Sequence, residues 1–365
     1  MSVTLNGTSG LVFGDGTIQG TAAGMPFRNR IINGDMRIDQ RRNGGSVTSG
    51  ALQYTVDRWR ELAAPTSKFT IQRNAGSVTP PAGFTNYLGL TSTSAYSVAA
   101  ADYQIIQQFI EGLNAADLAW GTSSAKTVTV SFWVRSSLTG LFGGSIQNSS
   151  NTRSYPFSYT ISAANTWQFQ TVTIPGDTTG TWLTDNGRGI TLNFSIGVGS
   201  NNSGTAGAWA GSDFRSATGS TSVVGTNGAT FYLTGVQLEK AAAATDFEFR
   251  PYGTELAMCQ RYYEKSYPVD VNPGTIYGTG FITGIQAASQ YATVSASYKV
   301  EKRTVPTVVL YNRNTGTAGQ MNADNTNITN PFVTQHPVGL AAHTNGQTTG
   351  INQFLNLHFA SDSEL

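Results

Sequence analysis

The sequence predicts an all-β protein, and three features carry that reading. Strict two-residue alternation of apolar and polar side chains recurs along the chain, most plainly from Thr127 to Arg135 and from Ile190 to Ile196. Turn residues fill the gaps: 41 of the 365 residues are glycine, and Asn and Pro join them where alternation lapses. Only residues 254–265 carry helical spacing. At this length two folded units plus a short extra segment are expected, each large enough to bury its own core.

Residues 1–24 read as a short β arm. Val3 and Leu5 alternate with polar residues, Leu11 and Phe13 do the same, and Asp15-Gly16 is a hairpin turn leading to Ile18. So short an arm buries no core alone and must pair with copies of itself or with another protein. Thr21-Ala22-Ala23-Gly24 reads as a linker.

Residues 25–253 read as a β-sandwich of the jelly-roll kind. In the strand from Thr127 to Arg135, Val128, Val130, Phe132 and Val134 form one face. Weaker strands cover 54–60, 68–73, 104–111, 168–174 and 229–239. Residues 254–265 form a connector helix with Thr254 as its cap and Leu256, Cys259 and Tyr263 on one face. Residues 266–365 form a C-terminal β-sandwich. Its clearest strands are Tyr291 to Tyr298 and Ile351 to Phe359; in the latter Leu355, Leu357 and Phe359 point inwards and Asn356 and His358 outwards. Residues 312–349, rich in Asn, Thr and Gly, read as loops at a tip, where binding surfaces concentrate.

Composition excludes several classes. Charged residues are 12% of the chain, about half the usual ~25%, so solubility rests on hydroxyls and amides. The formal net charge is +1 and no stretch clusters Lys and Arg. Neither a nucleic-acid stripe nor a polybasic membrane segment is therefore expected. Cys259 stands alone, which rules out an intrachain disulfide or a zinc-type cluster and predicts a buried small side chain. His336, His343 and His358 match no metal spacing. No apolar run reaches the ~18 residues of a membrane span, and no signal-peptide pattern opens the chain, which predicts synthesis in a cytoplasm.

Three segments together resemble phage tail-fibre proteins with a carbohydrate-binding-like jelly roll. The first runs from Asn29-Arg30-Ile31-Ile32-Asn33-Gly34-Asp35 through Arg41 and on to Tyr54-Thr55-Val56-Asp57-Arg58-Trp59-Arg60. The second joins Gln107-Gln108-Phe109-Ile110-Glu111-Gly112-Leu113 to Val130-Ser131-Phe132-Trp133-Val134-Arg135-Ser136. The third joins Gly235-Val236-Gln237-Leu238-Glu239-Lys240 through Phe247-Glu248-Phe249-Arg250-Pro251-Tyr252 to Cys259-Gln260-Arg261-Tyr262-Tyr263. The opening Val3-Thr4-Leu5-Asn6-Gly7-Thr8 and the closing Ala360 to Leu365 are similar to the ends of such chains. The resemblance implies a homotrimeric virion protein of the tail fibre. Its N-terminal arm docks to other tail proteins, its C-terminal half faces the host, and its partner is a bacterial surface polysaccharide. It also implies a structural calcium ion near Asp35 and Glu239, an oxygen-only pair suited to that ion; the alternative is that both carboxylates anchor turns or salt bridges.

The chemistry points to binding, and the chain is expected not to be an enzyme. Glycan cleavage commonly needs two carboxylates about 5–9 Å apart across the sugar bond. Here acidic residues are sparse and most have a basic neighbour, as in Asp57-Arg58, Glu239-Lys240 and Glu248 with Arg250. Aromatic rings are the better candidates, since sugars present apolar C–H faces. Trp182 and Trp209 lie in Gly/Thr/Ser-rich loops, and Tyr277 and Tyr311 lie near loops of the last unit; these four are the candidate glycan contacts, with lids over their own loops as the alternative for the two tryptophans. Trp59 and Trp133 read as core, and Trp120 and Trp167 as strand-edge residues left open. Two other readings stay in view. One is a structural virion component, a head fibre or tail adaptor, that never touches a receptor. The other is a polysaccharide depolymerase spike, against which stands the absence of a regular 20–25-residue repeat.

Overall fold

The computed structural model describes residues 27–285, 292–324, 326–344 and 353–365, and the backbone of three short strands nearer the N-terminus. Those strands, Thr4–Asn6, Gly10–Val12 and Ile18–Gln19, form an antiparallel sheet with Leu5 opposite Leu11 and Val12 opposite Ile18. The expected Asp15-Gly16 turn and the linker at 21–24 lie outside the described residues.

The central unit is a sandwich of two six-stranded antiparallel sheets. The first runs, edge to edge, Gln168–Ile174, Val128–Ser136, Thr230–Glu239, Leu88–Ser92, Phe69–Arg73, Val47–Thr48. The second runs Ser154–Ile161, Gly140–Gln147, Arg188–Val198, Tyr103–Glu111, Trp59–Ala64, Gln53–Tyr54. Alternation decides what lies between them. Val128, Val130, Phe132 and Val134 face Ile106, Ile110, Leu192, Phe194 and Ile196, all fully or nearly fully buried in one cluster. Phe132 packs edge-on against Phe194 at 5.0 Å and Tyr159 at 4.9 Å.

Trp59 is fully buried in this core, as the alternation requires. Trp133 is not. It stands half-buried on the outer face of the first sheet, beside its cross-strand partner Phe169 at 5.4 Å. Alternation defines two faces but does not say which one meets the other sheet, and here the aromatic took the outer one.

Glu61 is an acidic exception on the inner face, between Trp59 and Ala63. One oxygen accepts from the Gly50 N–H at 2.8 Å; the other has no partner. Burial pushes its pKa up to about 7 against the pull of that N–H and of Arg60. A raised carboxyl stabilises the fold fully below its unfolded value near 4.5, and that stabilisation is lost as pH rises through about 7, at up to ~1.4 kcal/mol per pH unit. Asp57, also raised by burial to about 6, acts in the same direction. Wild type should therefore lose stability between pH 5 and 7.5, and Glu61→Gln should lose roughly 2–3 kcal/mol less over that interval. Urea midpoints of both proteins at the two pH values measure it; parallel losses would show that Glu61 does not titrate there.

The helix spans Tyr252–Gln260, with Pro251 rather than Thr254 at its cap position. It ends five residues short of the expected 265. The Tyr262 N–H closes a tight last turn on the Cys259 carbonyl at 3.0 Å, and Tyr263–Lys265 leaves as a strand on the edge of Phe354–Asp362. An available strand edge and two β-favouring tyrosines outweigh the helical spacing. Cys259 is fully buried with Ile32, Ile38 and Tyr262. No helix among the described residues is long and apolar enough to cross a membrane.

The C-terminal unit is built around Phe354–Asp362, which pairs with Tyr263–Lys265, Ile282–Ile285, Thr307–Asn312 and Gln320–Ala323. Thr293–Ser297, Gly339–His343 and Phe332–His336 make a separate three-stranded sheet. Val294, Leu340, Ala342, Met321, Leu355 and Leu357 share the core of this unit. The stretch expected as tip loops, 312–349, instead holds four strands: Gln320–Ala323, Thr326–Thr329, Phe332–His336 and Gly339–His343. Leu355, Leu357 and Phe359 are buried, but so are Asn356 and His358. The strand is covered on both faces: His358 stacks on Tyr267 at 3.9 Å and its ring nitrogens meet the Ser266 hydroxyl at 3.0 Å and the Tyr277 carbonyl at 3.1 Å.

Candidate functional site

The structure brings Trp182 and Trp209 together with Trp120. Their rings meet edge to face, with centroids 4.6, 5.5 and 5.6 Å apart, and Tyr155 joins Trp209 at 5.2 Å. Each indole N–H is already spent on a backbone carbonyl: Trp120 on Lys126 at 2.8 Å, Trp182 on Thr179 at 3.3 Å, Trp209 on Pro175 at 2.8 Å. Beneath them Arg153 grips Asp177 through two bonds of 2.7 and 2.8 Å. Trp182 and Trp209 pack against the sandwich core and remain half-buried. As arranged, the three indoles pack edge to face on one another and against the sandwich core, with Trp120 7% exposed.

Asp35 forms an ion pair with Arg37, and burial raises its pKa against that pull. Glu239 accepts from the Thr245 N–H and hydroxyl, both at 2.8 Å, and from the Gln237 amide at 2.9 Å. Glu239 is thus satisfied by N–H and O–H donors, while Asp35 has the Arg37 guanidinium beside it and feels the Glu255 carboxylate as well. Among the described residues no three His, Cys, Asp or Glu side chains converge.

Tyr311 lies in a different setting. It lines a cleft of about 360 Å³ between the sandwich and the C-terminal unit, with Arg41, Gln53, Tyr54, Tyr263 and Asp362. That volume falls within the ~300–1,000 Å³ of ligand pockets. Tyr277 does not line it. Arg41 is the centre: its guanidinium lies 3.7 Å from the Tyr263 ring and 4.9 Å from that of Tyr54, and is held by Asp362 at 2.7 Å and Glu364 at 3.2 Å. Asp362 and the Gln53 amide remain partly open at the rim.

Behind Tyr54 the contacts continue into buried side chains, with Arg60 7% and Phe109 4% exposed. The Tyr54 side chain meets the Arg60 guanidinium. Arg60 stands 4.0 Å over the Phe109 ring, and Arg188 stands 4.8 Å over the same ring. Tyr263, Arg41, Tyr54, Arg60, Phe109 and Arg188 thus form one alternating track of rings and guanidiniums across the outer face of the second sheet. Register explains the alignment: Tyr54 is opposite Arg60, Arg60 opposite Gln107, and Gln107 opposite Asn193, so the same outward face repeats across four strands. Polar side chains floor it, with the Asn193 amide bonded to Ser145 at 3.0 Å and Gln147 at 2.8 Å. Sequence reading singled out Tyr311 of the cleft and no member of the track, because only the fold brings those residues together.

A second aromatic surface, a groove of about 650 Å³, lies on the outer face of the other sheet. Phe84, Trp133, Phe247, Phe249 and Phe169 line it, with Phe169 46% and Phe249 52% exposed. Its polar lining is Thr245 and Asp246.

No protein-family model matches the chain, and no curated protein matches it. Solved structures resemble parts of it weakly. The enzymatically active domain of tailspike protein 4 of bacteriophage CBA120 aligns at 11% identity and a TM-score of 0.31, over 59% of this chain and 22% of that one. A CBM4 structure aligns at 13% identity and 0.29, over 57% and 98%. A family 11 carbohydrate-binding module from Clostridium thermocellum, in complex with a mixed-linked tetrasaccharide, aligns at 12% identity and 0.27, over 55% and 98%. At such TM-scores, function has to be argued from this chain's own residues.

Proposed function

We propose that this chain is a non-catalytic glycan-binding protein, a phage tail fibre that attaches the virion to sugars of a bacterial surface, and that the saccharide lies in the tyrosine cleft. The observation that carries the proposal is the cleft itself. Tyr54 and Tyr311 offer apolar ring surface, with Tyr263 beneath the Arg41 guanidinium, while Gln53, Arg41 and Asp362 offer planar polar groups around it. A pyranose needs that pairing, with C–H faces against rings and hydroxyls against amide, guanidinium and carboxylate. The virion setting, the homotrimer and docking through the N-terminal arm come from the resemblance and belong to the same proposal.

A binding role also suits the state of the acidic groups. Glu111 is gripped by Arg261 at 2.6 and 2.9 Å, Asp177 by Arg153, and Asp57 and Glu61 are sealed inside. None of these forms an open carboxylate pair of the kind that glycan cleavage commonly uses.

The test is adsorption of full-length protein to an array of bacterial surface polysaccharides and to cells before and after periodate oxidation. Oxidation should abolish binding, and Tyr311→Ala should weaken it about tenfold or more, ~1.4 kcal/mol, with an unchanged melting temperature. Trp182→Ala should bind as wild type does. Full binding by Tyr311→Ala together with loss in folded Trp182→Ala would move the site to the tryptophan cluster. Failure to bind any glycan would favour a structural virion component.

A further inference from the structure

We infer that the saccharide taken by this track is anionic, its acidic groups pairing with Arg60 and Arg188; this rests on the glycan-binding reading above. The argument is one of missing counter-charge. Arg60 is only 7% exposed. Its donors meet the Tyr54 side chain and, with the Gln107 amide turned to suit, the Gln107 oxygen. Arg188 donates to the Ser149 carbonyl and to Asn151 Oδ1, the latter at 3.1 Å. All four partners are neutral, and the Glu364 and Glu61 carboxylates reach Arg60 only as charges farther off. Among the described residues neither arginine forms an ion pair.

A third guanidinium takes up the carboxylate beside it. Arg215 stands 4.0 Å over Tyr103, which shares the outward face of its strand with Phe109. Asp213, whose charge acts on Arg188, is already occupied by Arg215 at 2.7 Å and by the Gln147 amide at 2.6 Å. At the other end of the track Arg41 has Asp362 and Glu364. Glu61, adjacent to Arg60 in sequence, points to the opposite side of the sheet. Burial, and then the nearby Arg60, lower the Arg188 pKa, as cations crowded together without enough anion should.

A buried guanidinium without a carboxylate is costly. A carboxylate or phosphate on the ligand would relieve it, and a guanidinium fork can hold such a group by two bonds. Two unpaired arginines suit an acidic sugar better than a nucleic acid, which is usually met by many phosphate contacts.

The experiment uses the full chain and a polysaccharide array in which each acidic glycan is also present after carboxyl reduction or dephosphorylation, with dextran and a single-stranded DNA 20-mer as further probes. Native acidic glycans should bind, and neutralising them should cost tenfold or more. Arg188→Gln should cost about as much and flatten the salt dependence, and Arg188→Lys should recover part of the loss. Arg60→Met, checked for folding by its melting curve, gives the second variant. Equal binding of the neutralised glycans, with Tyr311→Ala still weakening both, would overturn the anionic ligand and leave the glycan site standing. Equal, Arg188-dependent binding of DNA would overturn the saccharide assignment, and binding of no probe would overturn both readings.

Discussion

Replacing Glu364 with alanine is expected to cost about 3–5 kcal/mol of stability. Glu364 comes from the tail of the last strand, yet its partners are in the first sandwich. Its carboxylate, 4% exposed, forms an ion pair with Arg58 and reaches Arg41 at 3.2 Å. Arg58 is 1% exposed, lies 3.5 Å over the Tyr262 ring and donates to the Phe109 carbonyl at 2.6 Å. Removing the carboxylate leaves that guanidinium buried without an anion, so the loss far exceeds that of a surface pair at ~0–1 kcal/mol. Glu364→Gln keeps an acceptor and should cost less. The double replacement of Arg58 and Glu364 by methionine should recover much of the loss, because a buried pair is often no better than packed apolar side chains. Urea unfolding measures all three. An alanine variant within about 1 kcal/mol of wild type would show that solvent replaces Glu364 at the junction.

What could be read from the sequence followed the strength of the alternation. Val128 to Val134 and Ile190 to Ile196 declared both sheets, because their inner faces are wholly apolar. The strand from Phe332 to His336 did not, because its faces alternate between half-buried and exposed without a change in polarity to mark them. The helix was placed correctly but ended early, since the strand edge that captures Tyr263 comes from residue 362, far along the chain. For the site the limit was sharper. Loop position singled out Trp182 and Trp209, but the structure spends their N–H groups on backbone carbonyls. Basic residues looked scattered because Arg60, Arg188 and Arg215 belong to distant segments, and only the fold sets them over Phe109 and Tyr103.

Asparagine 33 should be the other costly position, with Asn33→Ala losing about 3–5 kcal/mol. Its side chain is fully buried and spans the loop that enters the sandwich. Nδ2 donates to the Ile38 carbonyl at 2.8 Å and the Asp57 carbonyl at 2.9 Å, and Oδ1 accepts from the Ile38 N–H at 2.9 Å. Alanine leaves two buried backbone groups unpaired, the Ile38 N–H and the Asp57 carbonyl, each worth ~1–3 kcal/mol, while the Ile38 carbonyl keeps the Asp57 N–H at 3.1 Å. Asn33 also adopts φ = 58°, a left-handed conformation that asparagine tolerates and alanine resists. Asn33→Gly relaxes the backbone but loses the same bonds, so it should recover only about 1 kcal/mol. A Cβ on the next residue, Gly34, would stand 2.1 Å from the Val236 carbonyl oxygen. The Asn33-Gly34 pair is therefore set by backbone geometry, with no need of a ligand. Its reach extends to the track all the same. The Asn33 carbonyl accepts the Trp59 indole N–H at 3.0 Å, and Trp59 sits between Arg58 at the junction and Arg60 on the track. Loosening this loop should thus weaken glycan binding even in protein that still folds. Urea unfolding and glycan titration of Asn33→Gly measure the two effects on one sample, and full affinity in a variant destabilised by several kcal/mol would show that the track holds its shape without the loop.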